Sequence, residues 1–271
     1  MIKSGRSLRL GRLLKNEETP LLLVPLDHTV TDGPFADARR YEELLGILSE
    51  NGADAIVVHK GRLGLLPRSV YSKLSVVVHI SASTKYAADP TFKYQVGDVE
   101  DCLRRGADAV SVHVNVGSLT EDQQLRSLAS VADSCDREGL PLLAMLYPRG
   151  PGIKDHPPSE TLLHAASLAV DLGADIVKLP LAGSITEMKR VVDSCPIPVL
   201  AAGGAKATDS DFATFVADVM KSGARGLAAG RNIFMAADPG AKLREVRRIL
   251  HTDYSGDHQG RTISLAWTDS G

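Results

Sequence analysis

Eight short apolar runs, alternating with eight amphipathic helical patterns, predict a closed (β/α)₈ barrel of the TIM class, preceded by one capping helix. Two further observations point the same way. A Gly-Ala-[Asp/Arg] repeat returns four times, each time closing a helical pattern and opening an apolar run. No Gly-x-Gly-x-x-Gly turn follows the first run, which argues against an open doubly wound sheet.

The leading segment, residues 6–14, sets leucines at helical spacing among arginines and predicts a helix over the N-terminal mouth of the barrel. Four strands are Leu21–Leu26, Ser75–Ile80, Leu140–Tyr147 and Ile197–Ala202. The other four open from the repeat, at Gly52-Ala-Asp, Gly106-Ala-Asp, Gly173-Ala-Asp and Gly223-Ala-Arg, and run to His59, His113, Leu179 and Gly230. Their near-continuous apolar character suits a parallel sheet covered on both faces. Helices are expected over 37–51, 61–72, 92–105, 120–138, 158–172, 184–194, 208–222 and 238–250. Each repeat glycine ends a helix where the backbone must turn through positive φ. The barrel domain is expected to span residues 1–251, leaving 252–271 as a polar tail.

Composition narrows the function. A net charge of −2, from 31 Lys and Arg against 33 Asp and Glu, argues against nucleic acid or an anionic membrane as the main partner. Aromatics at 4% leave little for base stacking. Cys102, Cys135 and Cys195 are far apart and odd in number, as expected of reduced thiols. No run is long enough to span a bilayer, and the first segment mixes charge with leucine. A soluble, cytoplasmic protein is therefore expected.

Chemistry in such a barrel gathers at the C-terminal ends of the strands. Those ends read Asp27-His28, His59-Lys60, His79, His113, Tyr147, Lys178, Gly203-Gly204 and Gly230-Arg231. Lys178 stands in the apolar run Asp175–Leu179, where an ammonium is costly unless paired or stripped of its proton. A neutral lysine attacks carbonyls; the structural alternative is a side chain that snorkels to water. Tyr147 and Asp27 are the candidate proton carriers, against a rim phenol and an ion-pair partner of Lys60, Arg149 or Lys178. Gly203, Gly204, Gly230 and Arg231 follow the seventh and eighth strands, where barrels hold phosphate, although glycines also serve tight turns. His28, His113, Lys60 and Arg149 complete the candidate substrate-binding set, Lys60 standing one residue beyond its strand. Four histidines at one mouth, His28, His59, His79 and His113, are also the ligand type of a metal-dependent aldolase. They lack His-x-x-x-His spacing, and neither metal nor cofactor is expected.

The segments Val24-Pro-Leu-Asp-His28, His79-Ile-Ser-Ala-Ser-Thr84, Ser111-Val-His-Val-Asn-Val-Gly117, Leu143-Ala-Met-Leu-Tyr-Pro-Arg-Gly150, Asp175-Ile-Val-Lys178, Ala202-Gly-Gly204 and Gly230-Arg-Asn-Ile-Phe234 resemble the archaeal-type class I aldolases. That DeoC/LacD-like family includes fructose-bisphosphate aldolases and 2-amino-3,7-dideoxy-D-threo-hept-6-ulosonate synthases. The resemblance covers about residues 20–240. It implies Lys178 as the Schiff-base lysine, Tyr147 as proton donor, Asp27 as a helper, and phosphate on Gly203, Gly204, Gly230 and Arg231. It also implies a large homo-oligomer, with a decamer as one expected size. Thr29 replaces the glycine of the family's Asp-His-Gly, and Leu179-Pro-Leu-Ala-Gly183 replaces its Tyr-Thr-Gly-like loop. The form Asp27-His-Thr-Val-Thr-Asp-Gly-Pro34 is most similar to bacterial members that join dihydroxyacetone phosphate to aspartate semialdehyde. A C–C bond-forming class I aldolase is thus expected, with a phosphorylated ketone as donor. The alternatives are the other activities of the family and, more remotely, a metal-dependent aldolase or a non-catalytic phosphosugar-binding barrel.

Overall fold

The computed structural model describes residues 5–16, 19–153 and 158–254. Its centre is a closed barrel of eight parallel strands: β1 (Leu21–Pro25), β2 (Ala55–His59), β3 (Ser75–His79), β4 (Ala109–Val116), β5 (Leu142–Pro148), β6 (Ile176–Leu179), β7 (Val199–Ala202) and β8 (Gly226–Ala228). Neighbours in the chain are neighbours in the sheet, and β1 pairs with both β2 and β8, which closes the ring. The covering helices are Ala38–Glu50, Arg68–Lys73, Val99–Arg104, Glu121–Glu138, Ser159–Asp171, Ile185–Ser194, Asp209–Lys221 and Pro239–Tyr254. Their starts follow from local chemistry: the side chains of Asp37, Asp98, Ser184 and Thr208 each accept a first-turn N–H.

Alternation along the strands divides the apolar residues into two cores. Leu22, Val24, Ile56, Val58, Val76, Val78, Val177 and Leu179 point outward and pack under the helices. Leu21, Leu23, Ala55, Val57, Val77, Ala109, Leu143, Met145, Ile176, Leu200 and Ala228 fill the interior. Leu10 and Leu13 of the leading helix α1 (Gly5–Leu14) join this inner cluster and close the barrel from below.

The repeat explains how α1 is fastened. Asp54, Asp108 and Asp175 are buried, and each accepts a backbone N–H from one of the first two residues of the preceding strand, from Leu22 (2.8 Å), Val76 (2.9 Å) and Leu142 (2.8 Å). Their other bonds reach the leading segment: Lys15 to Asp54 at 2.5 Å, Arg12 to Asp108 at 2.8 Å and Arg6 to Asp175 at 2.7 Å. In the fourth copy Arg225 reverses the polarity and donates to the carbonyls of Leu14 and Thr19. A sequence feature that marks strand openings is therefore also a ring of ties at the lower mouth.

Three expectations are corrected. The helix expected over 61–72 is two pieces, Lys60–Leu63 and Arg68–Lys73, because Pro67 cannot continue the first. The helix expected over 92–105 begins only at Val99. The preceding residues form a ribbon, Tyr94–Gln95 pairing antiparallel with Ser81–Ala82. β4 runs to Val116, so His113 lies inside the strand and not at its end. The boundary at 251 falls within the last helix, and residues 255–271 of the expected tail lie outside the described residues.

Asp54→Ala leaves the Leu22 N–H and the Arg247 guanidinium without their shared acceptor. Urea unfolding is expected to show a loss of about 3 kcal/mol. Lys15→Met, at a half-exposed position, is expected to cost less than about 1 kcal/mol. Equal costs would contradict the ring account.

Candidate active site

The alternation that fills the barrel interior also carries side chains to its upper mouth. Counting by twos, Val57 leads to His59, Val77 to His79, Met145 to Tyr147 and Ile176 to Lys178. Lys178 thus points inward, above Ile176, and is only 7% exposed. Its ammonium nitrogen lies 5.8 Å from the centre of the Tyr147 ring. Among the described residues it has no carboxylate within 4.0 Å. The Arg149 guanidinium and the His113 ring approach the same tyrosine at 4.7 and 4.8 Å. Lys178, Tyr147, Arg149 and His28 line a cavity of about 630 Å³, together with Gly203, Gly204, Gly230 and Arg231.

Asp27 opens a short helical turn, His28–Asp32, directly after β1. Burial pushes its carboxyl up, but His79, His28, Lys178 and His59 more than offset this, and its pKa lies below the ordinary value. His28 Nδ1 stands 3.6 Å and His79 Nε2 3.9 Å from its oxygens, beyond hydrogen-bond length. His79 Nδ1 instead meets the Ser111 hydroxyl at 2.9 Å, and His113 Nε2 meets Asn115 at 3.0 Å. Burial pushes His79 down to about 4, His113 well below its ordinary value, and His28 and His59 down as well. The result is one carboxylate among uncharged imidazoles. Among the described residues no three His, Cys, Asp or Glu side chains converge as a metal ion requires.

Across the mouth, the loops after β7 and β8 come together with backbone outward. A Cβ on Gly203 would lie 2.8 Å from Ala229 Cα, and one on Gly230 would lie 2.9 Å from the Pro25 carbonyl, so neither position accepts a side chain. Gly204 turns through φ +67° into open space. Among the described residues the N–H groups of Gly204, Ala205, Gly230 and Arg231 donate to nothing. Arg231 bonds the Gly204 carbonyl at 3.3 Å and bridges the two loops. Four free donors beside a guanidinium are suited to an anion.

Residues 21–236 match the model of the DeoC/LacD family of aldolases. The chain belongs to this enzyme family. It is 47% identical over 248 residues to the 2-amino-4,5-dihydroxy-6-oxo-7-(phosphonooxy)heptanoate synthase of Streptomyces griseus, covering 91% of this chain and 90% of that one. It is 40% identical over 255 residues to the 2-amino-3,7-dideoxy-D-threo-hept-6-ulosonate synthase of Halobacterium salinarum, covering 93% and 94%. An archaeal fructose-1,6-bisphosphate aldolase, solved with its catalytic lysine bound to a carbinolamine intermediate, has the same fold. Its TM-score is 0.83 at 24% identity, over 91% of this chain and 99% of that one.

In this aldolase-family chain the expected residues do not all meet. Lys178, Tyr147, Arg149, His28, Gly203, Gly204, Gly230 and Arg231 share the cavity wall. Asp27 sits behind them in the histidine layer, and His113 reaches the site through the Tyr147 ring. Lys60 is placed elsewhere: it is exposed, lies against Gly97, and its charge is felt by Cys102. The reason is the helical turn that starts at Lys60 itself and carries it off the inward row. Sequence reasoning missed Asn232 and Asn115. Asn232 is buried, donates to the carbonyls of Gly203 and Ala205 at 2.9 Å, and accepts from Ala207, which sets the shape of the β7 loop. A buried asparagine within the Gly-Arg-Asn segment was the available signal. Asn115 follows the parity of His113.

An unfolded histidine takes its proton near pH 6.5, whereas folded His79 takes one only near about 4. Between these values the unfolded chain holds more protons, so stability falls as pH drops through that window. Nitrogen-15 NMR is expected to find His79 uncharged at about pH 5.5, and His79→Asn is expected to flatten the pH dependence there. A His79 midpoint at its ordinary value would contradict the burial argument.

Proposed function

We propose that this chain is a class I aldolase that joins dihydroxyacetone phosphate to an aldehyde, L-aspartate semialdehyde, through a Schiff base on Lys178. The observation that carries this reading is the buried Lys178 amine facing Tyr147 in a cavity whose far wall offers unengaged backbone donors. The Streptomyces relative supports the choice of substrates. The product in its name, cut between carbons 4 and 5, gives dihydroxyacetone phosphate and aspartate semialdehyde.

The donor phosphate is held by the N–H groups of Gly204, Ala205, Gly230 and Arg231, with the Arg231 guanidinium adding charge. Nζ of Lys178, without its proton, adds to the donor ketone, and water leaves to give an iminium. The positive nitrogen draws electrons from the adjacent C–H, whose proton passes to the Tyr147 phenolate formed when that phenol protonated the departing water, leaving an enamine. The enamine carbon attacks the aldehyde, and Tyr147 or Asp27 protonates the new alkoxide. Water then adds to the iminium and releases the product and the amine. The Halobacterium relative keeps 2-amino-3,7-dideoxy-D-threo-hept-6-ulosonate synthesis as a second reading, because its named product is also a seven-carbon 2-amino-6-oxo acid.

Borohydride with dihydroxyacetone phosphate is expected to leave a reduced adduct on the peptide bearing Lys178, and chelator is expected to leave turnover unchanged. Lys178→Met is expected to lose the adduct and about 10³-fold or more in turnover. Tyr147→Phe is expected to keep the adduct and lose about 10²-fold or more. Inactivation by chelator with no adduct would overturn the proposal. Turnover with aspartate semialdehyde, measured beside glyceraldehyde phosphate, tests the choice of acceptor.

A further inference from the structure

His28 is wedged against the loop that follows β8. Its ring meets the Phe234 ring edge-on at 5.3 Å, and Phe35 stacks on the same phenyl at 4.3 Å, so the segment after β1 is clamped to the turn after Gly230. Gly230 leaves the imidazole its space, since a Cβ there would lie 2.8 Å from His28 Cε1. Both residues line the cavity that Lys178 also lines. The two ring nitrogens are placed differently. Nδ1 is buried, has no hydrogen-bond partner among the described residues, and stands 3.6 Å from an Asp27 oxygen. Nε2 is not buried and, among the described residues, also bonds to nothing, which makes it the nitrogen open to the cavity.

That contrast sets the tautomer. A carboxylate oxygen at 3.6 Å attracts an N–H and repels a lone pair, so the proton of the neutral ring belongs on Nδ1. Burial, helped by Lys178 and Arg231, outweighs Asp27 and keeps the ring from taking a second proton. Nε2 then presents a lone pair to the cavity. A lone pair repels the oxygens of a phosphate and accepts from a hydroxyl. Once its phosphate is on the loops and its ketone on Lys178, dihydroxyacetone phosphate has one polar group left, a free hydroxyl, and His28 abuts the loop that anchors the molecule. We propose that Nε2 of His28 accepts a hydrogen bond from that hydroxyl and so selects the hydroxylated donor over its deoxy analogue. His28 is a specificity residue in this scheme, and its use in turnover rests on the Schiff-base reading above.

The test compares two phosphates that cannot form an imine: glycerol 3-phosphate, which carries the terminal hydroxyl, and propane-1,2-diol 1-phosphate, which lacks it. Calorimetry on the full chain is expected to show glycerol 3-phosphate binding about tenfold more tightly. That advantage is expected to vanish in His28→Leu and to return in His28→Gln, whose amide oxygen can accept. Nitrogen-15 NMR of the parent at neutral pH is expected to find the His28 proton on Nδ1, with the Nε2 resonance moving when glycerol 3-phosphate is added. Equal binding of the two phosphates, an advantage that survives in His28→Leu, or a proton on Nε2 would overturn the proposal. An equal loss for both phosphates in His28→Leu would assign the ring to the phosphate and overturn it too. Absence of a borohydride adduct with dihydroxyacetone phosphate would instead overturn the aldolase reading, and the comparison of the two phosphates would still decide the hydroxyl contact.

Discussion

A lysine amine held inside a closed ring of strands is the constraint on which the rest depends. Lys178 shares its inward direction with Ile176, and only one turn of the pleat separates an apolar plug from a buried amine. An ammonium there is costly without a counter-charge at contact distance, and no described carboxylate reaches it within 4.0 Å. Asp27 acts only through space, from a layer of histidines that burial keeps uncharged. The site thus holds little fixed negative charge near the amine and several positive groups around it. Such surroundings suit an anionic substrate.

The barrel supplies this environment by parity. Every strand from β2 to β6 sends alternate residues inward, and the uppermost inward residues are polar on all five: His59, His79, His113 with Asn115, Tyr147 and Lys178. Below them the interior is aliphatic, and α1 closes it with Leu10 and Leu13. The same repeat that opens these strands ties α1 in place through Asp54, Asp108 and Asp175. Foot and mouth of the barrel are therefore built from one periodic pattern, with stability at one end and chemistry at the other.

Much of this was legible because it is periodic. Strand positions followed from apolar runs, helix spans from amphipathic patterns, and the strand-end residues from their place after each run. What was not legible depends on how loops fold back. Residues 92–98 lie in a stretch that reads as helix, yet Tyr94–Gln95 pairs antiparallel with Ser81–Ala82. Lys60 reads as a neighbour of His59, yet the turn beginning at that residue carries it to the outside. Asn232 reads as part of a turn and proves to be the buried brace between two loop carbonyls. Local pattern carries strands and caps; side chains that act across the barrel need the closed structure.

The most direct test is a crystal of this chain soaked with dihydroxyacetone phosphate. The account predicts continuous density from Nζ of Lys178 to the donor's carbonyl carbon, with the phosphate on the N–H groups of Gly204, Ala205, Gly230 and Arg231. Donor bound with its carbonyl away from Lys178, or phosphate seated elsewhere in the cavity, would contradict it.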